Sequence, residues 1–357
     1  MRSWLACLLL GLWGCGGPDY GEAFLVPFRA AQRAQSSGRY LEAAEGFADA
    51  AGEAQRLKDR DEALFLRARM LERAERWAAA RDAYAALETV SPDGPRAARA
   101  AYDAATLEIE HGEAEQGWAM RERAITTHPD HGSARRALEL WAEYTAKRHG
   151  ESALQKKLAS WKELHGTELS QRVHYERARS LERQGKTSGA IAAYLETARI
   201  RPYPRGNLTD DAFWHAARLL EEEGRYEAAI GHLREMLDDR ESSVGGSYTR
   251  PRFPGAQVRI GEIYRDGLKD PARARDAFRK ARTGYPDSIV ADDAAWQEAL
   301  MASGFDDHVG SCVAARALRD DHPESRYRRC LHLVCPKLPP EDRPCARYIV
   351  EAMPKAP

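Results

Sequence analysis

Four cysteines near the end of the chain are the residues best placed to do chemistry. They are Cys312, Cys330, Cys335 and Cys345. Four thiols can form two disulfides with three possible pairings, or they can hold a metal ion together with a histidine such as His332. Four residues separate the second cysteine from the third and nine separate the third from the fourth, which fits no common zinc pattern. We therefore expect two disulfides, and no metal or cofactor.

The order of the predicted helices along the chain favours one of the three disulfide pairings. Cys312 with Cys330 would join successive helices, and Cys335 with Cys345 would tie down the proline-rich tail. Residues 327–357 are then a cysteine-rich cap. By loop entropy, each bond would contribute roughly 2 to 3 kcal/mol.

The N-terminus is a targeting segment. Met1 and Arg2 precede an apolar run from Trp4 to Leu12, and Gly14 and Cys15 follow it. The run is too short to span a bilayer and has the composition of a secretory signal. Export would place the chain in an oxidising compartment, where disulfides persist.

The segment Leu12-Trp13-Gly14-Cys15 resembles the cleavage box of bacterial lipoproteins. The resemblance implies that residues 1–14 are removed, that Cys15 carries acyl groups such as palmitate, and that 15–23 is a lipidated tether. Gly16 then implies the outer membrane, with the chain facing the periplasm. An ordinary secretory signal, cleaved near Gly17, remains the alternative.

The rest of the chain offers little to a catalyst. Lys+Arg number 54 against Asp+Glu 55, and no basic stripe with interleaved aromatics points to nucleic acid. No phosphate-binding glycine loop, HExxH motif or Ser/His/Asp arrangement is present, so no catalytic residue is predicted.

Residues 212–237 predict two short amphipathic helices with a hinge at Gly224. In the first helix, apolar residues recur at i, i+3, i+4 and i+7 from Phe213, and in the second they do so from Tyr226. A hairpin of this size cannot cover its own apolar face, so it must stack on similar neighbours.

The neighbours repeat the pattern. The small residue five positions after the hinge has counterparts 36 to 39 residues apart, except where a loop intrudes. These markers are Ala43, Ala80, Gly117, Ala153, Ala190, Ala229, Ala274 and Ser311. A proline follows the marker by twelve residues in five units, at Pro92, Pro129, Pro202, Pro286 and Pro323. Because proline disfavours helical geometry in the preceding residue, each one should close the second helix of its unit.

The repeat resembles the tetratricopeptide repeat, for example at Gly38, Tyr40, Ala43 and Phe47. The resemblance covers residues 24–325 and implies an all-α solenoid of about seven to eight hairpins. Repeats 1–6 would occupy 24–240 and repeats 7–8 would occupy 256–326. The glycine-, serine- and proline-containing segment 241–255 is predicted to be a loop. The box Tyr285 to Ser288 is similar to that of periplasmic lipoproteins of the outer-membrane-assembly and cell-division-coordinator type.

An aromatic residue recurs at one position of the first helices. The six examples are Phe28, Phe65, Tyr102, Tyr175, Trp214 and Trp296. In the tetratricopeptide family this position faces a concave channel, where the rings would bind a peptide. The alternative is that they wedge between helices as core.

These features predict a membrane-anchored scaffold or adaptor that binds protein or peptide partners in the bacterial cell envelope. One alternative is a non-catalytic helical component associated with a peptidoglycan-lytic enzyme. Another is an array that packs on itself as an oligomer. The sequence does not determine the oligomeric state.

Overall fold

The computed structural model describes residues 21–238 and 250–353. Within these ranges the regular elements are all helical, which confirms the predicted class. The helices are α1 (Glu22–Ser36), α2 (Tyr40–Glu53), α3 (Leu57–Arg73), α4 (Trp77–Val90), α5 (Ala97–His111), α6 (Ala114–Thr127), α7 (Ala134–His149), α8 (Glu151–Ser160), α9 (Ser170–Arg183), α10 (Thr187–Ile200), α11 (Thr209–Glu222), α12 (Tyr226–Asp238), α13 (Arg252–Glu262), α14 (Pro271–Gly284), α15 (Ala291–Ser303), α16 (His308–Asp321), α17 (Leu331–Val334) and α18 (Arg347–Glu351). No described helix is long and apolar enough to cross a membrane.

The described chain divides into two compact units. The first comprises residues 21–148 and 161–169, and the second comprises 149–160, 170–238 and 250–353. The first unit contains the hairpins α1/α2, α3/α4 and α5/α6, followed by α7. The second begins with α8 against α9 and continues with the hairpins α9/α10, α11/α12, α13/α14 and α15/α16. The expected number of hairpins, about seven to eight, is therefore confirmed.

Small residues allow the two helices of each hairpin to approach closely. Six of the eight marker residues, all except Gly117 and Ala153, have no exposed surface. A Cβ on Gly117 would lie 2.5 Å from the backbone nitrogen of Ile109, so this marker has to be glycine. Ala153 is only partly buried, and it lies in α8, where the chain passes from one unit to the other.

The hinge and the closing prolines behave as their residue types predict. Gly224 has φ +72°, and Arg225 behind it donates from its backbone nitrogen to the carbonyl of Leu220 at 2.8 Å, which closes α11. The second helices end two residues before each of the five prolines. After Val90 and after Gly284, two successive turns then lead into the next hairpin.

The predicted loop 241–255 is too long at its C-terminal end. Residues 239–249 lie outside the described residues, but α13 begins at Arg252. Pro251 adopts φ −56° and ψ −28° immediately before it. Proline is favourable at the start of a helix because its fixed φ suits the helix and its missing N–H would have no partner there. A proline of the predicted loop therefore stands immediately before a helix and favours its start.

Both disulfides involve the cap, but with a different pairing from the one predicted. Cys312 is bonded to Cys335, and Cys330 to Cys345, each with Cα atoms 4.8 Å apart. The pairing follows from α17, which folds back on α16. Ser311, next to the first cysteine, donates its hydroxyl to the carbonyl of Val334 at 2.6 Å, which places the third cysteine beside the first.

Candidate functional site

The recurring aromatic residues do not form an open channel. Phe65, Tyr102, Tyr175 and Trp296 are between 2% and 8% exposed, so for these four the channel hypothesis is wrong and the core alternative is correct. Phe28 is partly buried and packs against the rings of Phe24 and Phe47, with centroids 5.0 and 5.3 Å away. Trp214 is also partly buried.

Phe65 is covered by a side chain from the next hairpin. The guanidinium of Arg96, immediately before α5, lies 4.9 Å from the ring centroid of Phe65. The same side chain donates to Glu62, three residues before the phenylalanine, at 2.5 Å. A cation over a ring face and an ion pair one helical turn away hold the arginine in place. We call this arrangement of acid, aromatic and next-hairpin arginine an arginine clasp.

The second unit repeats the arginine clasp with different residues. The guanidinium of Arg252 lies 5.4 Å from the ring of Trp214, and it donates to Asp211 at 2.8 Å. The acid again precedes the aromatic by three residues.

A variant of the arginine clasp follows at Trp296. Here Tyr327 stacks on the indole at 5.0 Å, while Arg326 pairs with Asp293 at 2.6 Å. The rings therefore connect one hairpin to the next. These arginines were not predicted from the sequence, although the acid three residues before each ring was a usable signal.

The first unit carries a cavity of about 520 Å³, which we call the charged cavity. Most of its lining is polar. Its lining residues are Phe65, Arg69, Glu72, Tyr84, Pro95, Arg96, Arg99, Asp103, Thr106, Leu107, Glu110 and His131. Two internal pairs fix its walls: Tyr84 donates its hydroxyl to Glu72 at 3.0 Å, and Arg99 donates to Asp103 at 2.8 Å.

Burial perturbs the titrating groups of the charged cavity. It raises the pKa of Asp103, although Arg99 opposes that shift by stabilising the charged carboxylate. It lowers the pKa of His131, and the positive charge of Arg99 adds to that effect. His131 also stacks on Tyr102 at 5.5 Å. Perturbed groups gathered in one cleft are typical of a functional site, and this cleft joins cationic, anionic and aromatic walls.

The second unit carries a larger cavity of about 740 Å³, which we call the apolar cavity because most of its lining is apolar. Its lining residues are Trp214, Arg250, Pro251, Arg252, Pro254, Gly255, Gly284, Tyr285, Pro286, Asp287, Ser288, Ile289 and Val290. It occupies the same position in the repeat as the charged cavity, because both are lined by the aromatic residue and the arginine of an arginine clasp. Both are also lined by residues of the turn that follows a closing proline. This proline is Pro129 in the first unit and Pro286 in the second.

The sequence also predicted a lipidation site and a set of disulfide-bonded cysteines. Cys15, the predicted lipidation site, lies outside the described residues. All four C-terminal cysteines are in disulfides.

Residues 256–288 match the tetratricopeptide repeat family. They cover α13 from Ala256 onwards and all of α14, so the predicted resemblance is confirmed at repeat 7. A search of curated proteins found no match to the sequence.

Among solved structures, the chain is similar to a tetratricopeptide repeat protein from Parabacteroides merdae, with 14% identity over 78% of this chain and 99% of the other, at a TM-score of 0.33. The C-terminal part of a TPR repeat-containing protein from Cytophaga hutchinsonii is 12% identical over 75% and 98% of the two chains, with a TM-score of 0.43. PilF of Pseudomonas aeruginosa is 15% identical over 64% and 93%, with a TM-score of 0.36. Because all three scores lie below 0.5, none of these structures informs the function.

Proposed function

We propose that this chain is a membrane-anchored scaffold in the bacterial cell envelope. It matches the tetratricopeptide repeat at residues 256–288, and similar helical hairpins lie on both sides of that match. The fold is one of protein-interaction scaffolds. Its role here is to bind protein or peptide partners and to hold them at the membrane, without chemistry of its own.

The charged cavity is the observation that carries the binding role. Arg69 and Glu110 line it, and neither has an ion-pair partner within the described part of the chain. Next to them, Arg99 is paired with Asp103, and Glu72 accepts a hydrogen bond from the hydroxyl of Tyr84. A partner segment that carries both charges could therefore pair with Arg69 and Glu110 against walls that need no rearrangement, which reduces the entropic cost of binding.

Two features support the envelope address. The N-terminal segment that ends at Cys15 has the form of a lipoprotein signal, and several acyl chains on one residue would hold the protein on its membrane. Two disulfides in the cap fit an oxidising compartment such as the periplasm.

Site-specific photocrosslinking tests the charged cavity. A benzophenone amino acid at position 69, introduced in the native host, should give one discrete protein adduct. The matched control is position 67, an exposed arginine two residues away on α3 that does not line the cavity. Adducts of the same mass and yield from both positions would contradict the proposal. So would Arg69→Glu leaving the yield from a benzophenone placed at position 110 unchanged.

Fractionation tests the anchor. Wild-type protein should sediment with outer-membrane vesicles and resist extraction by high salt, whereas Cys15→Ala should no longer carry acyl groups, as read by mass spectrometry and by palmitate labelling. An unlabelled wild-type protein would disprove lipidation. Solubilisation of purified peptidoglycan by the wild-type chain would disprove a purely binding role.

A further inference from the structure

Ile289 is the most exposed large apolar residue of the described chain, with 95% of its surface accessible. It lies in the turn between α14 and α15, three residues after a closing proline. The residues at the same place after the other four closing prolines are Pro95, Gly132, Arg205 and Arg326, so a large aliphatic side chain is specific to this turn. A fully exposed isoleucine is unfavourable in water and gains free energy when a surface covers it.

The apolar cavity lies directly beside this side chain. Ile289 lines it together with Trp214, Pro251, Pro254 and Gly255. Its volume of about 740 Å³ is within the range that accommodates a ligand or several side chains. One patch of surface therefore presents a projecting aliphatic residue and an apolar cavity next to each other.

The charges on the rim also occur as an opposite pair. Asp287, two residues before the isoleucine, is exposed and has no ion pair within the part of the chain that the structure describes. Arg252, which also lines the cavity, keeps 44% of its side chain exposed although it pairs with Asp211. A second copy of this patch, rotated by 180°, would bring each arginine towards the other copy's aspartate.

We propose that this patch is a self-association site, at which two copies of the chain pair about a two-fold axis and each inserts Ile289 into the apolar cavity of the other. An isologous interface requires one patch to be complementary to itself. This patch meets the requirement in shape, because it has both projection and cavity, and in charge, because it has both aspartate and arginine. A second copy of the chain satisfies all of these features at once.

Sedimentation velocity of the full chain in density-matched detergent tests the proposal. The wild type should show a concentration-dependent dimer. Ile289→Asp should raise the dimer dissociation constant at least tenfold, because it places a carboxylate inside the other copy's cavity. The control is Val309→Asp: Val309 is 72% exposed on α16 and outside the cavity, so the same charge is introduced without effect on the dimer. A monomer at all concentrations, or equal weakening by both variants, would overturn the proposal.

Crosslinking locates the contact. With a benzophenone at position 289 in a mixture of isotopically light and heavy chains, adducts should join position 289 of one copy to the peptide that contains Trp214 or Pro254 of the other. Light–heavy pairs distinguish this from a crosslink within one chain. Adducts with lipid, or with a different protein, would show that another occupant covers the patch and would reject self-association.

The result is independent of the scaffold role. A monomeric protein that still gives the adduct from position 69 would refute the dimer and leave partner binding in place. A dimer without that adduct would do the reverse.

Discussion

The charged cavity and the apolar cavity are built on the same plan and offer opposite chemistry. Each contains an aromatic residue from one first helix, an arginine from the next hairpin and a turn after a closing proline. In the first unit, Arg69, Arg99, Asp103 and Glu110 line the space between these parts. In the second unit, prolines and glycines line much of it. The arginine clasp is thus the structural constant, and the residues around it decide what each cavity can bind.

The covering of the aromatic ring also differs. Phe65 under Arg96 is 4% exposed, whereas Trp214 under Arg252 is only partly buried. The larger indole extends beyond what one guanidinium covers. The apolar cavity therefore keeps part of its clasped aromatic ring available to a partner, whereas the clasped ring of the charged cavity is almost fully covered.

The largest expected effect concerns the cap, which only the second unit has. The disulfides close segments of 23 and 15 residues, and losing each should cost about 3 kcal/mol. We expect reduction with dithiothreitol to abolish hydrogen-exchange protection in α16 to α18 and to leave α3 to α6 unchanged. Equal loss of protection in both units, or in neither, would show that the second unit does not depend on its covalent cap.

Truncation of the aromatic ring in each arginine clasp should have the next largest effect on stability, and the effect should differ between the two units. Phe65→Ala removes a buried ring and should lower the local stability of α3 to α5 by about 3 kcal/mol. Trp214→Ala should cost about half as much in α11 to α13, because part of the indole is already in contact with water. Local hydrogen exchange is the appropriate measurement, since repeat arrays unfold in parts. A Trp214→Ala cost equal to that of Phe65→Ala would contradict the difference in burial.

Removal of the clasp arginines should have smaller and similar effects. Arg96→Gln and Arg252→Gln each lose a cation–π contact and a partly exposed ion pair, so we expect about 1 kcal/mol for each. Arg67→Gln, at an exposed arginine outside any clasp, should be neutral. A double-mutant cycle of Arg96→Gln with Glu62→Gln should give a coupling energy. A coupling of zero would mean that the acid does not position the arginine.

The smallest effect is the pH dependence shared by the two units. Burial lowers the pKa of His131 in the first unit and of His215 in the second, below the ordinary value of 6.5. As the pH falls, the unfolded chain therefore binds protons at these histidines before the folded chain does. The contribution of each histidine to the free energy of unfolding is present above pH 6.5 and is lost as the pH falls through the folded pKa.

Thermal unfolding between pH 7 and pH 5 would measure this dependence. His131→Asn and His215→Asn should each reduce the loss of stability on acidification. His308→Asn, at an exposed histidine at the start of α16, should not. A steeper loss of stability in either of the first two variants would contradict the sign of the shift.

Much of the fold was predictable because it depends on local constraints. A residue such as Gly224 tolerates a positive φ, and Ala43 or Ala80 leaves room for a neighbouring helix, wherever it occurs. Periodicity therefore predicted the helical class, the hinge glycine predicted the turn, and the closing prolines predicted the ends of the second helices. Pro251 is the exception, since a proline can end one helix or begin another, and the local sequence does not decide between them.

The candidate sites were less predictable because they depend on partners far along the chain. The position of Phe65, Tyr102, Tyr175 and Trp296 was correctly identified as special, but their exposure was not. Exposure depends on residues about thirty positions further on, such as Arg96 over Phe65. The cysteine pairing failed for the same reason: the fold of α17 brings Cys335, not Cys330, to Cys312.

The sequence by itself determined that this protein is a row of helical hairpins, because helix periodicity, hinge conformation and helix termination are set within about forty residues. It also determined that four cysteines pair, since nothing else in their spacing suited a metal. Tertiary structure alone decided which cysteines meet, which rings are covered and where the cavities lie. These depend on distances between residues of successive hairpins, and only the packing of one hairpin against the next sets those distances.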